Sequence, residues 1–223
     1  MKKIMQQLAG FTVLAIMAGS AQAIPMETVT MTFTGDNVMI SQYNYRDPYI
    51  SGSANSGGVP NDGTATDWRQ ISTTTVALAP GNYYAHFAVQ DEAASANDVA
   101  GFIATILPGS GRDLIQSDGS WEVCEESYAP TSGPANSCDS AASNWISATS
   151  YGDYGVAPWN NNVSGGQAAF GGGAQWIWSS DNKAHNYVVF RTAFEVIPEP
   201  SIIALFGLGL IGLGFAGRRK AHS

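Results

Sequence analysis

The chain reads as an all-β protein organised around a single sandwich. Three observations carry that reading. Apolar and polar residues alternate with a period of two along several short runs, as strands with one buried face require. Clusters rich in Gly and Pro separate the runs: Ser51–Gly63, Pro108–Gly111, Pro130–Pro134 and Gly165–Gly173. Helical periodicity is almost absent, and no fixed-period repeat suggests a propeller or solenoid.

The first residues stand outside the fold. Lys2 and Lys3 precede an apolar stretch, Leu8–Ala18, and Ala21-Gln22-Ala23 supplies small residues at a cleavage site. This is the layout of a secretory signal peptide over residues 1–23, with Ala21 and Ala23 marking the cut. The mature chain is expected to begin at Ile24.

The strands follow in order. Thr28–Phe33 is rich in β-branched residues, and Met39–Tyr45 offers a second run. Ile71–Leu78 alternates, and Pro80-Gly81-Asn82 turns the chain. Tyr83–Gln90 sends Tyr83, Ala85, Phe87 and Val89 to one face and Tyr84, His86, Ala88 and Gln90 to the other. At most a short helical turn is expected over Asp91–Asn97. Val99–Leu107 is mostly apolar and reads as a buried strand ended by Pro108-Gly109. Trp176 and Trp178, at i and i+2, are expected on one strand face. Tyr187–Val196 is the clearest strand, with Val188, Phe190, Thr192, Phe194 and Val196 on one side. The sandwich domain is thus expected over residues 24–196, with long Gly-rich loops.

Residues 24–197 carry five basic residues and 17 acidic ones, a net charge of 5 − 17 = −12. Such a surface argues against nucleic acid or anionic lipid as a binding partner. Cys124 and Cys138 are the only cysteines. An exported chain meets an oxidising compartment, so a disulfide is expected; two cysteines alone cannot make a four-ligand zinc site.

Beyond the last strand the chain reads Ile197-Pro198-Glu199-Pro200-Ser201, then an apolar Gly-rich run Ile202–Gly217, then Arg218-Arg219-Lys220. Pro198 and Pro200 forbid regular helix and leave extended backbone. As a helix, Ser201–Gly217 would be about 25 Å long, near the lower limit for a bilayer span. Arg218, Arg219 and Lys220 form a basic stop that favours the cytoplasmic side. This three-part order, over about residues 196–220, resembles the PEP-CTERM sorting signal of Gram-negative bacteria. The resemblance implies an exosortase as partner and processing at Pro198-Glu199-Pro200. It also implies a transient inner-membrane anchor over residues 197–220, then a place at the cell surface or in the extracellular matrix. The alternative is an ordinary C-terminal anchor that is never cut.

A second set of segments is similar to a galactose-binding-like jelly-roll module. It comprises Thr34-Gly35-Asp36-Asn37, Trp68, Leu78–Tyr83, Val99–Ile103, Ser117-Asp118 with Trp121, Trp145 with Ala148, Ala174–Trp178, and Val189–Thr192 with Phe194. The chain departs where the module shows Tyr-Val-Asn-Gly after Asp-Asn, reading Val38-Met39-Ile40-Ser41 instead. The resemblance implies a β-sandwich and carbohydrate binding.

Aromatic faces suit sugars, because a pyranose packs its C–H face on a ring while nearby amides and carboxylates bond its hydroxyls. Trp159, in Pro158-Trp159-Asn160-Asn161-Asn162, is the leading candidate with Asn160; Trp121 beside Asp118 and Glu122 is the next. The competing reading of each ring is a core or loop plug. Asp36, Asp91 and Asp98, with Glu92 and Asp118 as further oxygen donors, are candidates for a structural calcium, although no Asp-x-Asp-x-Asp-Gly loop exists. No other cofactor is implied. Gly-x-Ser-x-Gly, His-Glu-x-x-His and phosphate-loop motifs are absent from the sequence. The expectation is a non-enzymatic surface or biofilm-matrix protein that binds or scaffolds polysaccharide. A purely structural protein and, behind it, a small hydrolase are the alternatives.

Overall fold

The computed structural model describes residues 26–36, 38–39, 49–52, 57–58, 68–91, 99–109, 112–126, 138, 144–183 and 187–197. The signal peptide, Asp98 and everything from Pro198 onward lie outside the described residues, as do Glu92 and the rest of the expected turn to residue 97.

Among the described residues there are thirteen strands, a 3-10 turn at Gln167–Ala169 and no α-helix. The strands are β1 (Glu27–Asp36), β2 (Val38–Met39), β3 (Tyr49–Gly52), β4 (Gly57–Gly58), β5 (Ser72–Leu78), β6 (Gly81–Gln90) and β7 (Gly101–Leu107). They continue as β8 (Ile115–Gln116), β9 (Glu122–Glu126), β10 (Ile146–Ser147), β11 (Thr149–Asp153), β12 (Gln175–Trp178) and β13 (Tyr187–Val196). They form two antiparallel sheets. The first has the order β11-β12-β7-β1-β5, with β8 also on β7; the second has the order β10-β9-β13-β6-β3-β4, with β2 also on β6.

The alternating runs become strands because each buries its apolar face between the sheets. Met31 and Phe33 of β1, Phe102 of β7, Phe87 of β6 and Phe190 of β13 meet in one core. Phe102 stacks on Phe190 with centroids 4.7 Å apart, so the two sheets touch through aromatic rings. All of β7 except its last residue is buried, as its unbroken apolar sequence requires.

Several elements differ from the sequence reading. Of the second run, Met39 lies in β2, which pairs with β6; the rest of that run lies within residues 40–48, outside the described residues. The Ser51–Gly63 stretch is not loop throughout, because β3 pairs with β6 and with β4 there. Trp176 and Trp178 do not share a face. Trp178 enters the inter-sheet core and Trp176 the cluster outside the first sheet. β12 is laddered to β11 along its length, but the register shifts between Ser150 and Gly152, opposite Ile177 and Trp176. β12 meets β7 at one residue pair, Ile177 against Phe102; the ladder is irregular where the two indoles part.

Glu27 pairs with Leu78 at the start of β1, and Val196 pairs with Gly81 at the end of β13. The Ala79-Pro80 link joins these two partners across the sheets. The first strand therefore starts, and the last strand ends, at the same end of the sandwich.

Candidate functional site

Three places could carry chemistry: the cap over the first sheet, the outer face of the second sheet, and the junction where β13 leaves the fold.

The cap is the segment between β11 and β12. It folds back over the outer face of the first sheet, and Trp159, Val163, Phe170 and Ala174 pack with Ile103 and Trp176. Trp159 stacks on Trp176 at 4.7 Å and 13°. Gly101 lies beneath the pair, and a β-carbon there would collide with the Trp159 ring. Trp159 is 1% exposed, so it offers no face to a sugar in this conformation. Asn160, at φ 48, donates from Nδ2 to the carbonyl of Pro158 at 2.9 Å. Its exposed side chain thus closes the local turn.

Trp121 is also 1% exposed. It packs against Phe87 and Phe102, and its Nε1 donates to the carbonyl of Gln116 at 2.9 Å. Asp118 accepts from the backbone N–H of Ser120 at 2.7 Å, forming the turn before β9. The structure therefore separates the candidate ligand set: both rings are core, and Asp118 is a turn former. Burial wins because a tryptophan buries some 150–250 Å² of mostly apolar surface.

Asp36 ends β1, and Asp91 follows β6 at the same end of the sandwich. Asp91 is buried and has an interaction of its own. Asp98 lies outside the described residues, and among those described no group of three His, Cys, Asp or Glu side chains could hold a metal.

The outer face of the second sheet was not singled out by sequence reasoning. Tyr84 and His86 of β6, Arg191 of β13 and Glu122 of β9 meet there because the registers set Arg191 opposite His86 on one side and opposite Glu122 on the other. Arg191 Nε donates to Glu122 Oε2 at 2.7 Å. Its guanidinium lies 3.9 Å from the Trp145 ring centroid and 5.0 Å from that of Tyr84, a cation–π arrangement on both rings. Period-two alternation placed Tyr84 and His86 on this face; the signal missed was Arg191 in a strand whose other face is almost wholly apolar.

His86 is buried beneath this group. Its Nε2 lies 2.9 Å from Ser51 Oγ, and its Nδ1 has no hydrogen-bond partner. Burial first, and then the Arg191 charge, lower its pKa to about 4, while Glu122 acts in the opposite sense. The Ser51–His86 distance is that of a nucleophile and its base. A working triad also needs a third group to orient the imidazole through its other nitrogen. Here that nitrogen is unpartnered, and a base with a pKa of about 4 takes up a proton poorly at neutral pH.

Beside the same face, Cys124 of β9 is bonded to Cys138, with Cα atoms 5.7 Å apart. The pair packs with Ala88, Trp145 and Val189. The disulfide therefore staples the chain after β9 back onto the sheet.

At the third place, β13 ends at Val196 and Ile197 is exposed. Thr192–Val196 pairs with β6 alone, because β9 reaches only to Arg191. Phe194 anchors this stretch by stacking on Tyr83 at 5.6 Å.

Residues 196–220 match the PEP-CTERM protein-sorting motif. The match begins on the last residue of β13, so the fold and the address are contiguous. No curated protein and no solved structure matches the chain. The motif marks an exported protein sorted at the membrane. Among the described residues no helix is long and apolar enough to cross a membrane; the apolar run Ile202–Gly217 lies outside them.

Proposed function

We propose that this chain is an exosortase-processed surface protein whose sandwich is a non-catalytic structural module of the extracellular matrix. The observation that supports this most is the position of the sorting motif, which starts where β13 stops. The fold thus ends where the sorting motif begins. Four of its six tryptophans serve the core: Trp121, Trp159, Trp176 and Trp178 are all fully buried. That distribution favours a stable scaffold over a ring-lined sugar cleft. The test is intact mass of the mature protein from its native host, beside a variant with Pro198, Glu199 and Pro200 replaced by Ala. A wild-type mass ending near Pro198–Pro200, with the variant retained in the inner membrane, supports the reading. A wild-type mass that keeps Ile202–Ser223 sinks it.

A second reading is polysaccharide contact, as the galactose-binding-like resemblance implies. One observation favours it: Tyr84 is 41% exposed beside Arg191 and Glu122 on the outer face of the second sheet. Retention on matrix polysaccharide that is lost in Tyr84→Ala, with the melting temperature unchanged, would favour this reading over scaffolding alone. A non-catalytic role is tested separately by Ser51→Ala: ester hydrolysis that disappears with the Ser51 hydroxyl would reveal an enzyme.

A further inference from the structure

We infer that the end of the sandwich carrying Met26, Pro80 and Ile197 is the surface this domain turns toward a lipid bilayer while its tail is still attached. The inference rests on the sorting reading above, since that reading places the apolar tail in a membrane. Glu27 and Val196 flank the Ala79-Pro80 link, so both chain ends leave the sandwich from this end. Ile202, where the apolar run begins, is only five positions beyond Ile197; fully extended, that stretch spans at most about 17 Å. β13 itself has ten residues and is about 33 Å long. The tether is therefore roughly half as long as the sandwich is tall, and it holds this end near the lipid.

The domain's net charge of 5 − 17 = −12 repels the whole domain from an anionic lipid surface, and Glu27 and Glu195 lie at the tethered end itself. The tether alone holds that end close, and the opposite end is the part free to move away. The tethered end also presents two large apolar side chains, Met26 at 50% and Ile197 at 38% exposed. Two such residues tolerate the interfacial region but cannot hold an acidic domain there by themselves. Cutting the tail would thus release the domain from the bilayer as well as from its anchor.

The test uses the full chain with Pro198, Glu199 and Pro200 replaced by Ala, purified after signal cleavage. It is reconstituted in vesicles of phosphatidylcholine and phosphatidylglycerol that carry a headgroup nitroxide. A fluorophore is placed on Pro80→Cys, or on Glu195→Cys as a second probe of the same end if the first misfolds. The reference is Asp181→Cys, next to the Asn182 carbonyl that accepts from the Ala100 N–H at the far end of β7. Quenching several-fold stronger at Pro80 or Glu195 than at Asp181 is expected. A flexible Gly/Ser linker of roughly 20 residues between Ile197 and Pro198 should weaken it. Equal quenching at the two ends, or stronger quenching at Asp181, overturns the inference. If the wild-type protein keeps its tail in the host but the near end is still quenched, the sorting reading falls and this surface stands. If the wild type is cut normally and quenching is equal, the surface alone falls.

Discussion

The indole of Trp159 lies parallel on that of Trp176, with centroids 4.7 Å apart, and the pair rests on the bare Cα of Gly101. A loop residue, a strand residue and a glycine from a third segment thus form one packing unit. Trp159→Ala would empty a fully buried site and is expected to destabilise the fold by about 3–5 kcal/mol. Gly101→Ala would force the stack apart, at about 1–3 kcal/mol. Urea unfolding of both variants checks this. A Trp159→Ala variant as stable as wild type would show that the ring is not a core element.

His86 makes stability depend on acidity. Its folded-state pKa of about 4 lies below the ordinary 6.5, so the unfolded chain binds the proton more tightly. The contribution is fully present above pH 6.5 and is lost as pH falls toward about 4, a total of about 3 kcal/mol. His86→Phe removes the titration and should flatten the unfolding midpoint across that window. A wild-type profile already flat there would contradict the assignment.

Arg191 tunes the same imidazole, because its charge is the second cause of the lowered pKa. Arg191→Met keeps the aliphatic bulk between Trp145 and Tyr84 but removes the charge. His86 should then titrate closer to its ordinary value, read directly by NMR of the ring protons. Glu122 also loses its partner, at about 1 kcal/mol for a half-exposed pair. An unchanged His86 titration would mean that burial alone sets it.

The disulfide closes a loop between residues 14 apart in sequence. In the chain-entropy account such a loop contributes about 3 kcal/mol. Replacing Cys124 and Cys138 together by Ala should lower stability by that order, whereas single replacements also leave a free thiol. Comparing the double variant with reduced wild type separates the bond from the side chains.

The strands with clean alternation were readable in advance. β13 spans Tyr187–Val196 as expected, and Tyr83, Ala85, Phe87 and Val89 do share the core face of β6. β9 and β11 were not readable. Glu-Val-Cys-Glu-Glu and Thr-Ser-Tyr-Gly-Asp carry little periodic apolar signal, and each becomes a strand because a neighbouring strand edge offers partners. The burial of Trp159 was hidden for a related reason: its site is made by Gly101 and Trp176, distant in sequence. Arg191, Glu122 and Tyr84 come together only through the registers of three strands. The sorting motif was legible because it is linear: its three parts are adjacent and need no fold to bring them together.

Ser117 is the pin that holds the cap's strand to the sheet. β12 and β7 share a single ladder pair, and the buried Ser117 fills the gap beside it. Its Oγ accepts from the N–H of Ala104 at 3.0 Å and donates to the carbonyl of Gln175 at 2.7 Å. Its backbone bonds the same two residues, donating to the Ala104 carbonyl at 2.9 Å and accepting from the Gln175 N–H at 2.7 Å. Ser117→Ala removes only the side-chain half and leaves a buried N–H at Ala104 without that partner, which costs about 1–3 kcal/mol. The loss should be local in its first effect. Amide exchange at Ala104 and along Gln175–Trp178 should speed up before exchange in β6 and β13, because the second sheet does not depend on this joint. Uniform acceleration across both sheets would mean that the two sheets open as one cooperative unit and that Ser117 is not a local pin.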